Sequence, residues 1–131
     1  TALTDHGKEF NDFELLEASC TVPGEKRFTT YYCDPSRPDQ KGACEVNHSE
    51  MRKVIPNKRV KRKASFKNLT EADVKLLCSH VNSYGRPSLD NEAPLKLAME
   101  RLPGELFDEL GIVLVEPEKV ILKPSLLPHL F

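Results

Sequence analysis

Two carboxylates stand where a side chain can act on a bound group. Asp5 follows a short β-prone run, Ala2-Leu3-Thr4, and precedes the turn His6-Gly7, so its carboxylate is expected at the rim of a sheet. Glu45 falls in the first two turns of an expected helix, behind Gln40-Lys41-Gly42, with His48 and Arg52 about one and two turns further along the same strip. Converging carboxylates supply the oxygen ligands that Mg²⁺ takes, and a pair of such ions can clamp the attacking and leaving oxygens of a phosphoryl transfer. Cys44 and His48, at i and i+4, could join Cys20 or Cys33 around zinc. Structural zinc sites use tight ligand pairs, however, and the four cysteines contain no C-x-x-C. They are read as reduced, unpaired thiols.

The second chemical feature is a block of charge. The chain has 131 residues and a net charge of −1, but residues 1–50 carry 5 bases against 10 acids and residues 68–131 carry 6 against 10. Between them, residues 52–67 hold 8 bases and no acid, including Lys58, Arg59, Lys61, Arg62 and Lys63. Such a run can neutralise several phosphates and give salt-dependent, sequence-independent DNA affinity. The plainer alternative is a solvated loop. Apolar residues make up 39% of the chain, enough for a modest core, and no apolar run approaches the ~20 residues of a membrane span. Asp5, Lys8 and Glu9 interrupt the start, which argues against a secretory leader, and the missing initiator Met suggests a trimmed chain.

Several elements must position these groups. Phe28 to Cys33 reads as a strand, stopped by Asp34-Pro35-Ser36-Arg37-Pro38. A helix is expected from an Asp39 cap to Pro56, with Gly42 allowing a close backbone approach. Residues 57–68 form the basic loop. Thr70 and Asp73 make a capping box for a helix whose apolar face is Val74, Leu77, Cys78, Val81 and Tyr84. His80 is placed on that helix's surface. Pro94 opens a further helix reaching Leu102, and Glu105 to Leu110 a shorter one ending at Gly111. Ile112–Val115 and Val120–Leu122 read as short strands, and the tail from Lys123 to Phe131 as irregular.

Longer strings surround the two acids. Thr4-Asp5-His6-Gly7-Lys8-Glu9-Phe10 resembles the T-D-N-G-x-E-F segment of DDE-type transposases and retroviral-type integrases. Tyr32-Cys33-Asp34-Pro35, Asp39-Gln40-Lys41-Gly42, Glu45 and Asn47-His48 resemble the segment bearing the last acid of that triad. Ser65-Phe66, Leu69-Thr70, Ser79-His80-Val81-Asn82-Ser83-Tyr84, Arg86-Pro87-Ser88-Leu89 and Lys123-Pro124-Ser125-Leu126-Leu127 continue the likeness, in order, to bacterial transposases of the family named for insertion sequence thirty.

That resemblance implies an α/β, ribonuclease-H-like core in which Asp5 is the second acid and Glu45 the third. Together they would bind Mg²⁺ or Mn²⁺ for DNA strand cleavage and joining. Lys41, His48, Arg52 and the five bases of the loop would then contact DNA, in a bacterial cytoplasm, with no membrane and no small-molecule substrate involved. His6 departs from the family's Asn. The family's first acid lies upstream of anything in this sequence, so the chain looks like a C-terminal half, inactive as a nuclease by itself. The expected division is a partial core over 1–85, its first strands missing, and a helical and short-strand extension over 86–131. With partners missing, the edge of residues 1–4 and the face of Val74, Leu77, Cys78 and Val81 are expected to be exposed and to drive self-association. The competing readings are a non-catalytic DNA-binding or interaction module, with structural acids, or a degenerate gene remnant.

Overall fold

Alternation of small, β-branched and aromatic residues gives two short strands, β1 (Ala2–Thr4) and β2 (Thr30–Tyr32), which pair in parallel with Ala2 opposite Thr30 and Thr4 opposite Tyr32. The structure, a computed structural model, describes residues 2–35, 37–56 and 64–131. It is mixed α/β and forms two compact units, residues 1–45 and 46–131. The division falls inside a helix, at Glu45–Val46, whereas the sequence suggested a division after residue 85.

In the first unit, residues 5–29 supply the long crossover that parallel pairing demands. It contains α1 (Phe13–Glu17), capped by Asp12, whose carboxylate accepts the Leu15 N–H. Glu17, only 3% exposed, fastens this crossover to the sheet. Its Oε1 accepts the Thr30 N–H at 2.6 Å and its Oε2 meets Lys26 Nζ at 2.5 Å. Lys26, and then the Thr30 amide, hold its carboxyl below the ordinary range. After β2 a 3₁₀ turn, Pro38–Lys41, leads into α2 (Gly42–Val54). Among the described residues outside its own helix, nothing lies within 4 Å of the position a Cβ would take at Gly42. This glycine marks the junction of 3₁₀ and α geometry, not a close contact.

The second unit is built around α3 (Glu71–Ser83). Its capping box forms as the sequence predicts: Thr70 Oγ1 accepts the Asp73 N–H and Asp73 Oδ2 accepts the Thr70 N–H. α4 (Pro94–Met99) and α5 (Gly104–Leu110) follow. The turn joining α3 to α4 needs Gly85, because a Cβ there would stand 2.3 Å from the Asn91 carbonyl oxygen. The core unites Val54 and Ile55 with Leu77 and Val81 of α3 and Leu127 and Leu130 of the tail.

That core corrects two expectations. The tail is ordered into 3₁₀ turns at Pro124–Leu126 and Pro128–Leu130, each started by a proline whose fixed φ suits a first helical position. It covers the α3 face expected to be bare, so Leu77 is 6% exposed and Val81 fully buried, while Val74 remains 42% exposed.

The segments expected as strands, 112–115 and 120–122, do not form ladders. Polar side chains of α3 take the place of a neighbouring strand. Ser79 Oγ accepts the Val113 N–H at 3.0 Å, Ser83 Oγ the Val115 N–H at 2.9 Å, and His80 Nδ1 the Ile121 N–H at 3.0 Å. His80 is therefore a buried acceptor, 7% exposed, and not a surface residue. Acceptance at Nδ1 requires the neutral ring, and burial pushes its pKa below the ordinary 6.5. A group depressed on folding contributes stability above its unfolded pKa and loses it as pH falls through the folded value. Urea unfolding should thus show stability declining below about pH 6.5 in the native chain, with the His80 share of that decline absent in His80→Asn. Identical pH profiles for the two proteins would refute this role.

Candidate functional site

Asp5, one of the two sequence-predicted acids, lies where an open α/β sheet places functional groups, beyond the carboxyl end of a parallel strand. Asp5 directly follows β1, and Cys33-Asp34 directly follow β2. The Cys33 N–H donates to the Thr4 carbonyl at 2.8 Å, so both chains leave the sheet at one level. Asp34 and Gln40 then clasp each other: Gln40 Oε1 accepts the Asp34 N–H at 2.7 Å and Gln40 Nε2 donates to Asp34 Oδ2 at 2.8 Å. This clasp brings the 3₁₀ turn, and Lys41 with it, back to the rim.

The consequence is an ion pair. Lys41 Nζ lies 3.3 Å from Asp5 Oδ2, and Asp5 Oδ1 accepts the Gly7 N–H at 3.0 Å. The Gly7 amide first, and Lys41 second, hold the Asp5 carboxyl below its ordinary range, and Asp5 in turn raises Lys41. Asp5 remains largely exposed, so solvent screens the pair. His6 stacks on Tyr32 with ring centroids 5.2 Å apart, and the Tyr32 hydroxyl donates to the Phe10 carbonyl. That stack ties the turn after Asp5 to β2.

Glu45 is exposed in the first turn of α2, and among the described residues it has no ion pair or hydrogen bond from its side chain. His48 and Arg52 are exposed further along the helix. Lys58, Arg59, Lys61, Arg62 and Lys63 lie outside the described residues. The pairing Asp5–Lys41 joins a predicted acid to a predicted DNA contact, an outcome that 36 residues of separation conceal from the sequence.

These donors do not by themselves fit a hard divalent cation. Mg²⁺ demands an octahedron of oxygen ligands, whereas Asp5 already holds an ammonium and a backbone amide. Among the described residues, no group of three His, Cys, Asp or Glu side chains converges. All four cysteines are free, which leaves the zinc alternative without a ligand set.

Arg86 has no role in the reading of the residues by type, yet among the described residues of the second unit it is a heavily engaged cation. It is 5% exposed. Its guanidinium donates to Asn47 Oδ1 at 2.9 Å and to the Val81 carbonyl at 3.1 Å, and it faces Glu50 Oε1 at 3.6 Å. The Tyr84 ring lies 5.6 Å from it. Its partners, Asn47 and Glu50, lie nearly forty residues upstream, so no local signal in the sequence marked it. No helix among the described residues is long and apolar enough to cross a membrane. No family model, curated protein or solved structure matches the chain.

Proposed function

We propose that the chain is the C-terminal part of a DDE-type transposase or integrase with a ribonuclease-H-like core, and that its own contribution is DNA binding. The observation that carries this reading is Asp5, set in its Thr-Asp-His-Gly string at the carboxyl end of a parallel strand pair, the rim where such sheets do their chemistry. Arg52 and His48 are exposed on α2, and the bases of residues 57–67, which follow in the sequence, supply the positive charge for the phosphate backbone. The parent activity would use Mg²⁺ or Mn²⁺ among three acids. This chain offers two of them, Asp5 and Glu45, and no cleavage step is assigned to it.

A second reading, a non-catalytic DNA-binding module, is favoured by the ammonium of Lys41 on Asp5, which makes that acid a structural partner. Both readings share the DNA surface. Self-association, also proposed, rests on the β1 edge alone, since the tail covers Leu77 and Val81.

The test is duplex binding by fluorescence anisotropy across a salt series. Neutralising Lys58, Arg59, Lys61, Arg62 and Lys63 together should reduce the slope of log K against log salt by about 4–5. No binding at low salt, or an unaltered slope, would remove DNA from both readings. Metal-dependent nicking of supercoiled plasmid that Glu45→Gln abolishes would decide for the enzyme.

A further inference from the structure

The segment 112–116 has one side bound and one side bare. Val113 and Val115 both donate to α3, the period-two pattern of a strand lying along a neighbour. Leu114 lies between them, and among the described residues neither its N–H nor its C=O has a partner. Val113 is 63% and Leu114 45% exposed. Two cavities flank this bare edge and meet at Leu114. One, of about 610 Å³, is lined by Tyr84, Ala93, Val115, Glu116, Pro117 and Val120 among others. The other, of about 370 Å³, is lined by Met99, Phe107, Asp108, Ile112 and Val113. An unpaired edge between two apolar grooves is the arrangement that accepts an added strand, with main-chain bonds giving affinity and the grooves taking alternate side chains.

Charge identifies the occupant. Residues 100–119 hold Glu100, Glu105, Asp108, Glu109, Glu116 and Glu118, all exposed, against Arg101 and Lys119. Of the charged residues that line the two grooves, Glu92, Glu116 and Asp108 are acidic and Lys96 alone is basic, a balance that favours a cationic occupant over nucleic acid. We infer that the 112–116 edge is a docking site for an extended segment of a protein partner in which apolar residues alternate with lysine or arginine. The inference is independent of the DNA reading, which uses other residues.

The experiment uses the full chain and two acetylated peptides of about six residues, valine alternating with lysine and valine alternating with glutamate. The lysine peptide should bind saturably and slow amide exchange at Leu114 by about tenfold or more at saturation. The glutamate peptide should not. Asp108→Lys combined with Glu116→Lys changes one exposed charge in each groove, and should weaken binding by about tenfold or more. Leu114→Pro removes the donor itself and should abolish it. Equal affinity for the two peptides, unaltered exchange at Leu114, or an indifferent charge-reversed variant would overturn the inference. So would protection of Leu114 that rises with protein concentration alone, because a second copy would then be the occupant.

Discussion

Arg86→Ala is expected to destabilise the second unit by about 3–5 kcal/mol, the cost of breaking a buried ion pair from one side. The wild-type guanidinium serves three carboxyl, amide and carbonyl oxygens at once: Glu50 Oε1, Asn47 Oδ1 and the Val81 C=O. Alanine leaves Glu50, 8% exposed, with Lys53 as its remaining cation at 2.6 Å, and leaves the end of α3 without its donor. Because Lys53 persists, the loss should fall toward the lower end of that range. Arg86→Lys carries the charge but lacks the planar fork, so it cannot meet all three acceptors and should recover less than half of the loss. Removing both charges, as in Arg86→Met with Glu50→Met, should be milder than Arg86→Ala alone, since no orphaned carboxylate remains. Urea denaturation at fixed pH measures all three. A midpoint for Arg86→Ala within about 1 kcal/mol of wild type would mean that the pair is solvated.

Where neighbours in sequence set the structure, reading by type and spacing succeeded. The capping box of α3 needs only Thr70 and Asp73, three residues apart, and Gly111 ends α5 with φ 62°. β1 and the centre of β2 follow from local residue preference. What escaped depends on partners far along the chain. The 112–115 segment has strand residues but a helix beside it, so its amides found Ser79 and Ser83 in place of a ladder. His80 looks like a surface residue until Ile121 arrives to donate to it. At the candidate site, the rim position of Asp5 was legible from the turn that follows it, whereas its engagement by Lys41 was not. Type alone marks Lys41 as a cation for phosphate, and only the Asp34–Gln40 clasp turns it toward a carboxylate.

The tail gives the clearest case of distant partners deciding structure, and it sets the other large effect. Two prolines and no apolar period make residues 123–131 look irregular, yet Leu127 and Leu130 are 1% and 2% exposed. They fill the space between the end of α2 and the inner face of α3, against Val54, Ile55, Leu77 and Val81. The backbone is pinned as well, since the Leu130 carbonyl accepts the Ser65 N–H at 2.7 Å. Leu127→Ala should therefore cost about 3–5 kcal/mol, a transfer term plus a cavity that proline-stiffened turns cannot collapse to fill. Leu130→Ala should cost about the same. His129, on the same turn, reaches Asp73 Oδ2 at 3.0 Å but is about half exposed, so His129→Ala should cost under about 1 kcal/mol. That contrast separates burial from charge as what binds the tail. Because α3 presents Leu77 and Val81 to the tail, the double variant Leu127→Ala/Leu130→Ala should also speed amide exchange along α3, as local opening becomes global. Melting and exchange profiles unmoved by the double variant would show that α2 and α3 form their core without the tail.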